Sequence, residues 1–216
     1  MRILLFANGV AKDGTMVRRA LEGAGSAHIL CADGGALNAL RLGLAPQTII
    51  GDLDSLSAKQ VEEFSAAGAE ILRFPMEKDE TDLELALRWS ADRGASAIVI
   101  VGALGGRFDQ TLANVYLLAL PGLQDILIEV VDGEQSIRLL RPGPHSLDGR
   151  SGDTVSLIPL GGKAGGISAS GLKYPLRDEA LEFGPARGIS NVMLCDSASL
   201  VFHSGLLLVI HTRGRA

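Results

Sequence analysis

The sequence predicts an α/β protein in two parts, an N-terminal parallel-sheet, Rossmann-like domain over residues 1–133 and a small C-terminal all-β sandwich domain over residues 134–216. Two observations predict this. Up to about residue 133, apolar and β-branched runs alternate with helical patterns, and continuously apolar strands in such an alternation read as a parallel sheet covered on both faces. Beyond it, turn signals crowd in and no helix fits, which reads as short antiparallel strands.

The strand signals of the first part fall at residues 2–8, 27–33, 48–54, 69–75, 96–102 and 125–132. Between them, Ser57-Ala58-Lys59-Gln60 has the form of a capping box, with Val61 and Phe64 following it. Thr81-Asp82-Leu83-Glu84 is a second helix start, above a stripe of Leu83, Ala86 and Leu87. Asp109 is placed to cap a helix running to about Leu120, apolar nearly all round and therefore expected to be buried. Trp89, four residues after Leu85, reads as core. In the second part the turn signals are Pro142-Gly143-Pro144, Asp148-Gly149, Ser151-Gly152-Asp153, Gly161-Gly162 and Gly165-Gly166, with short apolar runs at residues 136–140, 154–159, 189–195 and 206–211.

Composition excludes several classes. Hydrophobic residues are 47% and charged residues 21% of the 216, which rules out disorder, collagen and coiled coil. Aromatics are 4%, which leaves few stacking platforms for single-stranded nucleic acid, and the net charge is -5, which gives no basic footprint for DNA or RNA. Cys31 and Cys195 lie in apolar stretches far apart, and both are expected to be reduced and buried. His28, His145, His203 and His211 have no zinc spacing. The opening residues lack a charged segment followed by a long apolar run, and no apolar run approaches the ~18 residues of a membrane span, so a cytoplasmic protein with no membrane partner is expected.

In an open parallel sheet, ligands bind beyond the carboxyl ends of the strands. Those ends read Asp33-Gly34-Gly35, then Gly51-Asp52-Leu53-Asp54-Ser55, then Lys78-Asp79-Glu80-Thr81-Asp82, then Gly105-Gly106-Arg107-Phe108-Asp109. Six aspartates, Asp33, Asp52, Asp54, Asp79, Asp82 and Asp109, are thus expected on one edge. Crowded carboxylates repel unless a cation sits among them, and hard oxygen ligands favour Mg²⁺ or Mn²⁺, which brings phosphates with it. The glycine pairs would let backbone N–H groups approach those phosphates, with Lys78 and Arg107 offsetting charge. Each piece alone has an ordinary reading, as a helix cap, a turn or a solvated charge; their combination points to a metal-bound nucleoside di- or triphosphate. No Gly-x-x-x-x-Gly-Lys-Ser/Thr is present, so the chain is no P-loop enzyme. A nucleotide-sugar transferase would explain Asp52 and Asp54 but not the other four, and a non-catalytic sensor gains little from so many carboxylates.

With all four loops considered together, the sequence resembles the thiamine pyrophosphokinase family. The matching stretches are Ala32-Asp33-Gly34-Gly35-Ala36 with Asn38, Ile50-Gly51-Asp52-Leu53-Asp54-Ser55, Lys78-Asp79-Glu80-Thr81-Asp82, and Gly105-Gly106-Arg107-Phe108-Asp109-Gln110 leading into Leu112-Ala113-Asn114. In the second part, Ser170-Gly171-Leu172-Lys173-Tyr174-Pro175-Leu176 and Gly188-Ile189-Ser190-Asn191 look like the family's thiamine-side segments. The resemblance implies a catalytic α/β domain binding ATP and Mg²⁺, a thiamine-binding β-sandwich, and a homodimer with shared active sites. It implies transfer of the pyrophosphoryl group of ATP to the hydroxyl of thiamine, giving thiamine diphosphate and AMP. Carried over residue by residue, it implies Asp52, Asp54 and Asp82 at the metal and in catalysis with Arg107. Asp33, Gly34, Gly35, Lys78, Asp79, Thr81, Asp109 and Gln110 would line the ATP side, and Tyr174, Ser190 and Asn191 the thiamine side. Tyr174 stands where some relatives have tryptophan.

Overall fold

Leucine-, isoleucine- and valine-rich runs form six strands, β1 (Arg2–Phe6), β2 (His28–Ala32), β3 (Thr48–Gly51), β4 (Glu70–Arg73), β5 (Ala97–Val101) and β6 (Leu127–Asp132). The structure, a computed structural model, describes residues 1–215. Within the unit Met1–Gly133 the strands lie in the order β6-β5-β1-β2-β3-β4, and every pair is parallel. Helices α1 (Thr15–Glu22), α2 (Gly35–Arg41), α3 (Ala58–Ala66), α4 (Asp82–Asp92) and α5 (Phe108–Tyr116) connect them. Strand residues alternate between two cores. Leu4, Phe6, Ile29, Cys31 and Ile49 join Met16, Val17, Ala36 and Ala39 from α1 and α2, while Leu83, Ala86 and Leu87 of α4 are buried where that helix packs on β2 and β3.

Local chemistry explains the helix starts. Ser57 accepts a hydrogen bond from Gln60 N while the Gln60 side chain returns to Ser57 N, a complete capping box. At α4 only half of that exchange forms, with Thr81 Oγ1 accepting from Glu84 N. Four expectations are corrected. α5 ends at Tyr116, none of its residues is buried, and Phe108 at its start is 76% exposed. Arg107, not Asp109, is its N-cap residue, and the Asp109 carboxylate pairs with Arg107 instead of capping. An all-round apolar helix calls for cover, but nothing in such a pattern says that its own chain supplies it. Trp89 is half-buried, stacked on His28, with the Arg93 guanidinium over its ring at 4.5 Å from the ring centre. Cys195 is exposed, whereas Cys31 is buried and its thiol pushed far up by that burial.

The unit beginning at Glu134 is antiparallel throughout. Its strands are β7 (Gln135–Leu140), β8 (Gly143–Asp148), β9 (Thr154–Pro159), β10 (Ala164–Ser170), β11 (Leu176–Leu181), β12 (Asn191–Val192), β13 (Ser197–Phe202) and β14 (Leu207–Thr212). They form two layers, β12-β9-β14-β7 and β11-β10-β13-β8, which share a core containing Leu157, Ile167, Leu200, Phe202 and Val209. Two expected turns are strands. Gly143-Pro144 opens β8, and Gly165-Gly166 lies within β10, where the register with β11 shifts and Gly166 has φ +68°. A glycine inside a strand marks a bulge as readily as a turn.

Candidate active site

In the first unit, β1 leads to β2, β3 and β4 on one side while β5 and β6 lie on the other, so the direction of winding reverses between β1 and β5. Beyond the carboxyl ends of strands at such a reversal a crevice opens. A cavity of about 940 Å³ lies there, lined by Ala7, Asn8 and Gly9 after β1 and by Gly102 and Ala103 after β5. Its lining also includes Asp33, Asp52, Asp54, Lys78, Thr81 and Asp82, with Gly105, Gly106, Arg107 and Gln110 along the α5 side.

Three carboxylates meet in this cavity. Asp33, Asp52 and Asp82 each offer an oxygen, and those oxygens lie within 4.8 Å of one another. Asp33 is buried and sits in a left-handed turn at φ +46°, with Ser55 N donating to its Oδ1 at 3.4 Å. The next non-glycine residue with positive φ is Leu53, at φ +66°, whose side chain is buried in the core. That twist separates its neighbours: Asp52 joins the cluster, while Asp54 is exposed on the rim, its Oδ1 accepting from Ser55 Oγ. Gly51 makes the convergence possible, because a Cβ there would lie 3.0 Å from the Asp82 carboxyl carbon and 3.2 Å from Asp33 Cβ. Asp82 Oδ1 is shielded from solvent. Burial raises the Asp82 pKa above its ordinary value, Lys78 opposes that rise, and the charges of Asp52 and Asp33 add to it.

The remaining expected residues divide. Lys78 lies among the carboxylates, 3.1 Å from Asp82 and 3.5 Å from Asp52. Arg107 is exposed and bound to Asp109, Nε to Oδ1 at 3.1 Å. All six aspartates follow the carboxyl ends of parallel strands, but Asp79 and Asp109 are exposed and do not line the cavity, so three meet inside it with Asp54 on its rim. The first glycine pair has a packing reason: a Cβ at Gly34 would collide with the Asn8 amide and one at Gly35 with Phe6 O. Gly105 and Gly106 instead take positive φ with open space around them. In the second unit, Tyr174 and Asn191 are a pair. Asn191 Oδ1 accepts from Tyr174 N at 3.0 Å and its Nδ2 donates to Tyr174 O at 2.7 Å, which occupies the amide and leaves the Tyr174 side chain 60% exposed. Ser190, at φ +57°, is exposed beside them. Sequence reasoning missed Asn8, whose Nδ2 donates to Ser55 Oγ at 2.9 Å and faces Asp33 at 3.4 Å; the sign was a polar residue directly after a buried apolar run.

Two family models match the chain, "Thiamin pyrophosphokinase, catalytic domain" over residues 23–129 and "Thiamin pyrophosphokinase, vitamin B1 binding domain" over residues 144–207. A thiamin pyrophosphokinase of Caenorhabditis elegans is 30% identical over 172 residues, 73% of this chain and 69% of that one. The chain belongs to the thiamin pyrophosphokinase family. The thiamine pyrophosphokinase of Bacillus subtilis is 29% identical over 181 residues, covering 83% of this chain and 85% of that one. A crystal structure of the Bacillus subtilis enzyme superposes with a TM-score of 0.87 at 26% identity, covering 99% of each chain. The α/β first unit and the separate antiparallel sheets of the second are therefore the fold of this family, and the chain is a thiamine pyrophosphokinase enzyme of thiamine diphosphate synthesis. ATP is the nucleotide that this family uses.

Proposed function

We propose that the acidic cavity is where this enzyme binds ATP and transfers its pyrophosphoryl group to the hydroxyl of thiamine, releasing AMP. The observation that carries this reading is the meeting of Asp33, Asp52 and Asp82 in one cavity at the winding reversal. The donor set fits Mg²⁺ or Mn²⁺: three carboxylates that each offer a hard oxygen within 4.8 Å of the others, Asp82 having one oxygen shielded from solvent. Asp33, Asp52 and Asp82 would hold the ion, with Asp54 at the rim. When bound, it would supply neutralisation of phosphate charge.

The chain's own residues do the rest. Transfer to a primary alcohol is mostly positioning plus electrostatics. The open Gly105-Gly106 backbone and Arg107 take the phosphates, with Thr81 and Gln110 along the wall. Asp54 is our choice of proton acceptor for the thiamine hydroxyl, because it stands outside the three-carboxylate cluster. Asp79 and Asp109 act by ordering their loops. On the thiamine side, the exposed ring of Tyr174 supplies a flat face for the cationic ligand and Ser190 a hydroxyl, while Asn191 holds the Tyr174 backbone. We place thiamine between the first unit of one protomer and the second unit of its partner. The uncovered apolar surface of α5 supports a homodimer.

Incubation with ATP, Mg²⁺ and thiamine should yield AMP and thiamine diphosphate. ADP as the nucleotide product would identify a different kinase, and retained binding without turnover would identify a sensor.

A further inference from the structure

We propose that Lys78 is a tethered counter-ion that keeps free divalent cations out of the carboxylate cluster until nucleotide arrives. It rests on the reading that Asp33, Asp52 and Asp82 hold the cation. An ammonium has three donors, and three acceptors surround this one: Asp82 Oδ1 at 3.1 Å, Asp52 Oδ2 at 3.5 Å and Pro75 O at 3.1 Å. The side chain is only 12% exposed, so the pairing is made largely out of water. Asp82 Oδ1 is shielded from solvent and has no hydrogen-bond partner among the described residues, so the Lys78 ion pair is what meets its charge. The ammonium therefore sits on two of the three carboxylates that a cation would need.

The charges follow from this arrangement. Three carboxylates and one ammonium leave the cluster with two excess negative charges, enough to attract a divalent ion. An ion entering beside the ammonium would meet a like charge a few ångströms away and compete for the same oxygens. Phosphate oxygens remove the conflict. They give the ammonium new acceptors within the cavity that Lys78 already lines, and its unbranched stem has the freedom to turn from carboxylate to phosphate. Metal and nucleotide then favour each other's binding, and the coupling is reciprocal. This accounts for a lysine that the sequence directs to phosphate but the structure finds among aspartates.

The test is Mn²⁺ titration of the nucleotide-free enzyme, followed by calorimetry and by the Mn²⁺-dependent shift in melting temperature, in the parent, Lys78→Met, Lys78→Arg and Asp82→Asn. Lys78→Met is expected to bind Mn²⁺ roughly ten-fold or more tightly than the parent, from removal of one close positive charge. Lys78→Arg is expected to stay near the parent. A non-hydrolysable ATP analogue should tighten Mn²⁺ binding in the parent much more than in Lys78→Met. If Lys78→Met lowers stability through carboxylate repulsion, Mn²⁺ should restore more of its melting temperature than it adds to the parent, and Lys78→Gln serves as a second neutral variant. Mn²⁺ affinity in both neutral variants no higher than in the parent overturns the counter-ion role. If Asp82→Asn nonetheless weakens Mn²⁺ binding, the metal assignment survives that failure. Mn²⁺ binding indifferent to Asp82→Asn in either background overturns the metal assignment itself, and the proposal with it.

Discussion

Leu53 buries its side chain from a left-handed position, φ +66°, and thereby decides which of its two acidic neighbours reaches the cluster. Residues two apart on an extended strand share a face, so Asp52-Leu53-Asp54 reads as a chelating pair; the turn at Leu53 breaks that relation. Asp52 and Asp54 should accordingly fail in different ways. Asp82→Asn and Asp54→Asn are each expected to lower turnover at least ~100-fold, the scale of losing one strong electrostatic or proton-transfer contribution. Only Asp82→Asn should also weaken Mn²⁺ binding, measured by calorimetry, while Asp54→Asn keeps it nearly intact. Stability adds a sign. Asp82 has a folded pKa raised above its ordinary 3.8, chiefly by burial. The fold therefore holds that proton more readily than the unfolded chain, and stability falls as pH rises through the window that begins near the ordinary value. Asp82→Asn should melt higher relative to the parent at pH 7 than at pH 4, in parallel thermal scans without metal.

Two elements are held by features of different kinds. The start of α2 presses on β1 with no room for a side chain, since a Cβ at Gly35 would lie 2.0 Å from Phe6 O. Gly35→Ala must shift backbone, and the expected loss is about 1–3 kcal/mol or more by urea unfolding, the range of overpacked cores. In the β-unit, Asp153 gathers the end of β14 to the turn before β9. Its Oδ2 accepts from Arg150 N at 2.9 Å and from the Arg213 guanidinium at 2.8 Å, lies 2.8 Å from His211 Nε2, and its Oδ1 accepts from Gly214 N at 2.8 Å. Burial pushes the Asp153 pKa up, but the bonds from Gly214, His211 and Arg150 and the Arg213 charge outweigh it, and the carboxyl is held below 3.8. The unfolded chain thus binds this proton more readily, so the contribution is present above that value and is lost as pH falls through the lower, folded one. Asp153→Asn should lower the melting temperature at pH 7, and the gap to the parent should narrow in acid.

At the scale of the whole molecule, the residues proposed for the metal and those proposed for thiamine belong to separate units, Asp33, Asp52 and Asp82 before Gly133 and Tyr174, Ser190 and Asn191 after it. If each site is completed by a partner protomer, two different defective chains should complement each other. Mixing Asp82→Asn with Tyr174→Ala under conditions that exchange subunits should recover up to about half of the sites in mixed dimers, by two-fold symmetry. Activity in demonstrated heterodimers no higher than in the two single-variant homodimers would show that each site is built from one chain.

Apolar runs and capping boxes made the six parallel strands, α3 and α4 legible, because these depend on residues adjacent in the chain. The acidic loops were legible for the same reason: each follows directly from a strand. What the sequence could not decide was where those loops point. Asp54 and Asp79 are the same residue type as Asp33, but backbone twist and burial bring Asp33 into the cluster and leave the other two at the surface. Gly34 and Gly35 suggested phosphate, and only the approach of Phe6 on β1 and Asn8 just after it revealed a packing role. The same holds for Asn191, whose amide is spent on Tyr174 seventeen residues away. Local pattern determined the elements and the inventory of charge; long-range packing decided which charges meet, because convergence depends on the direction each side chain takes once the sheet has formed.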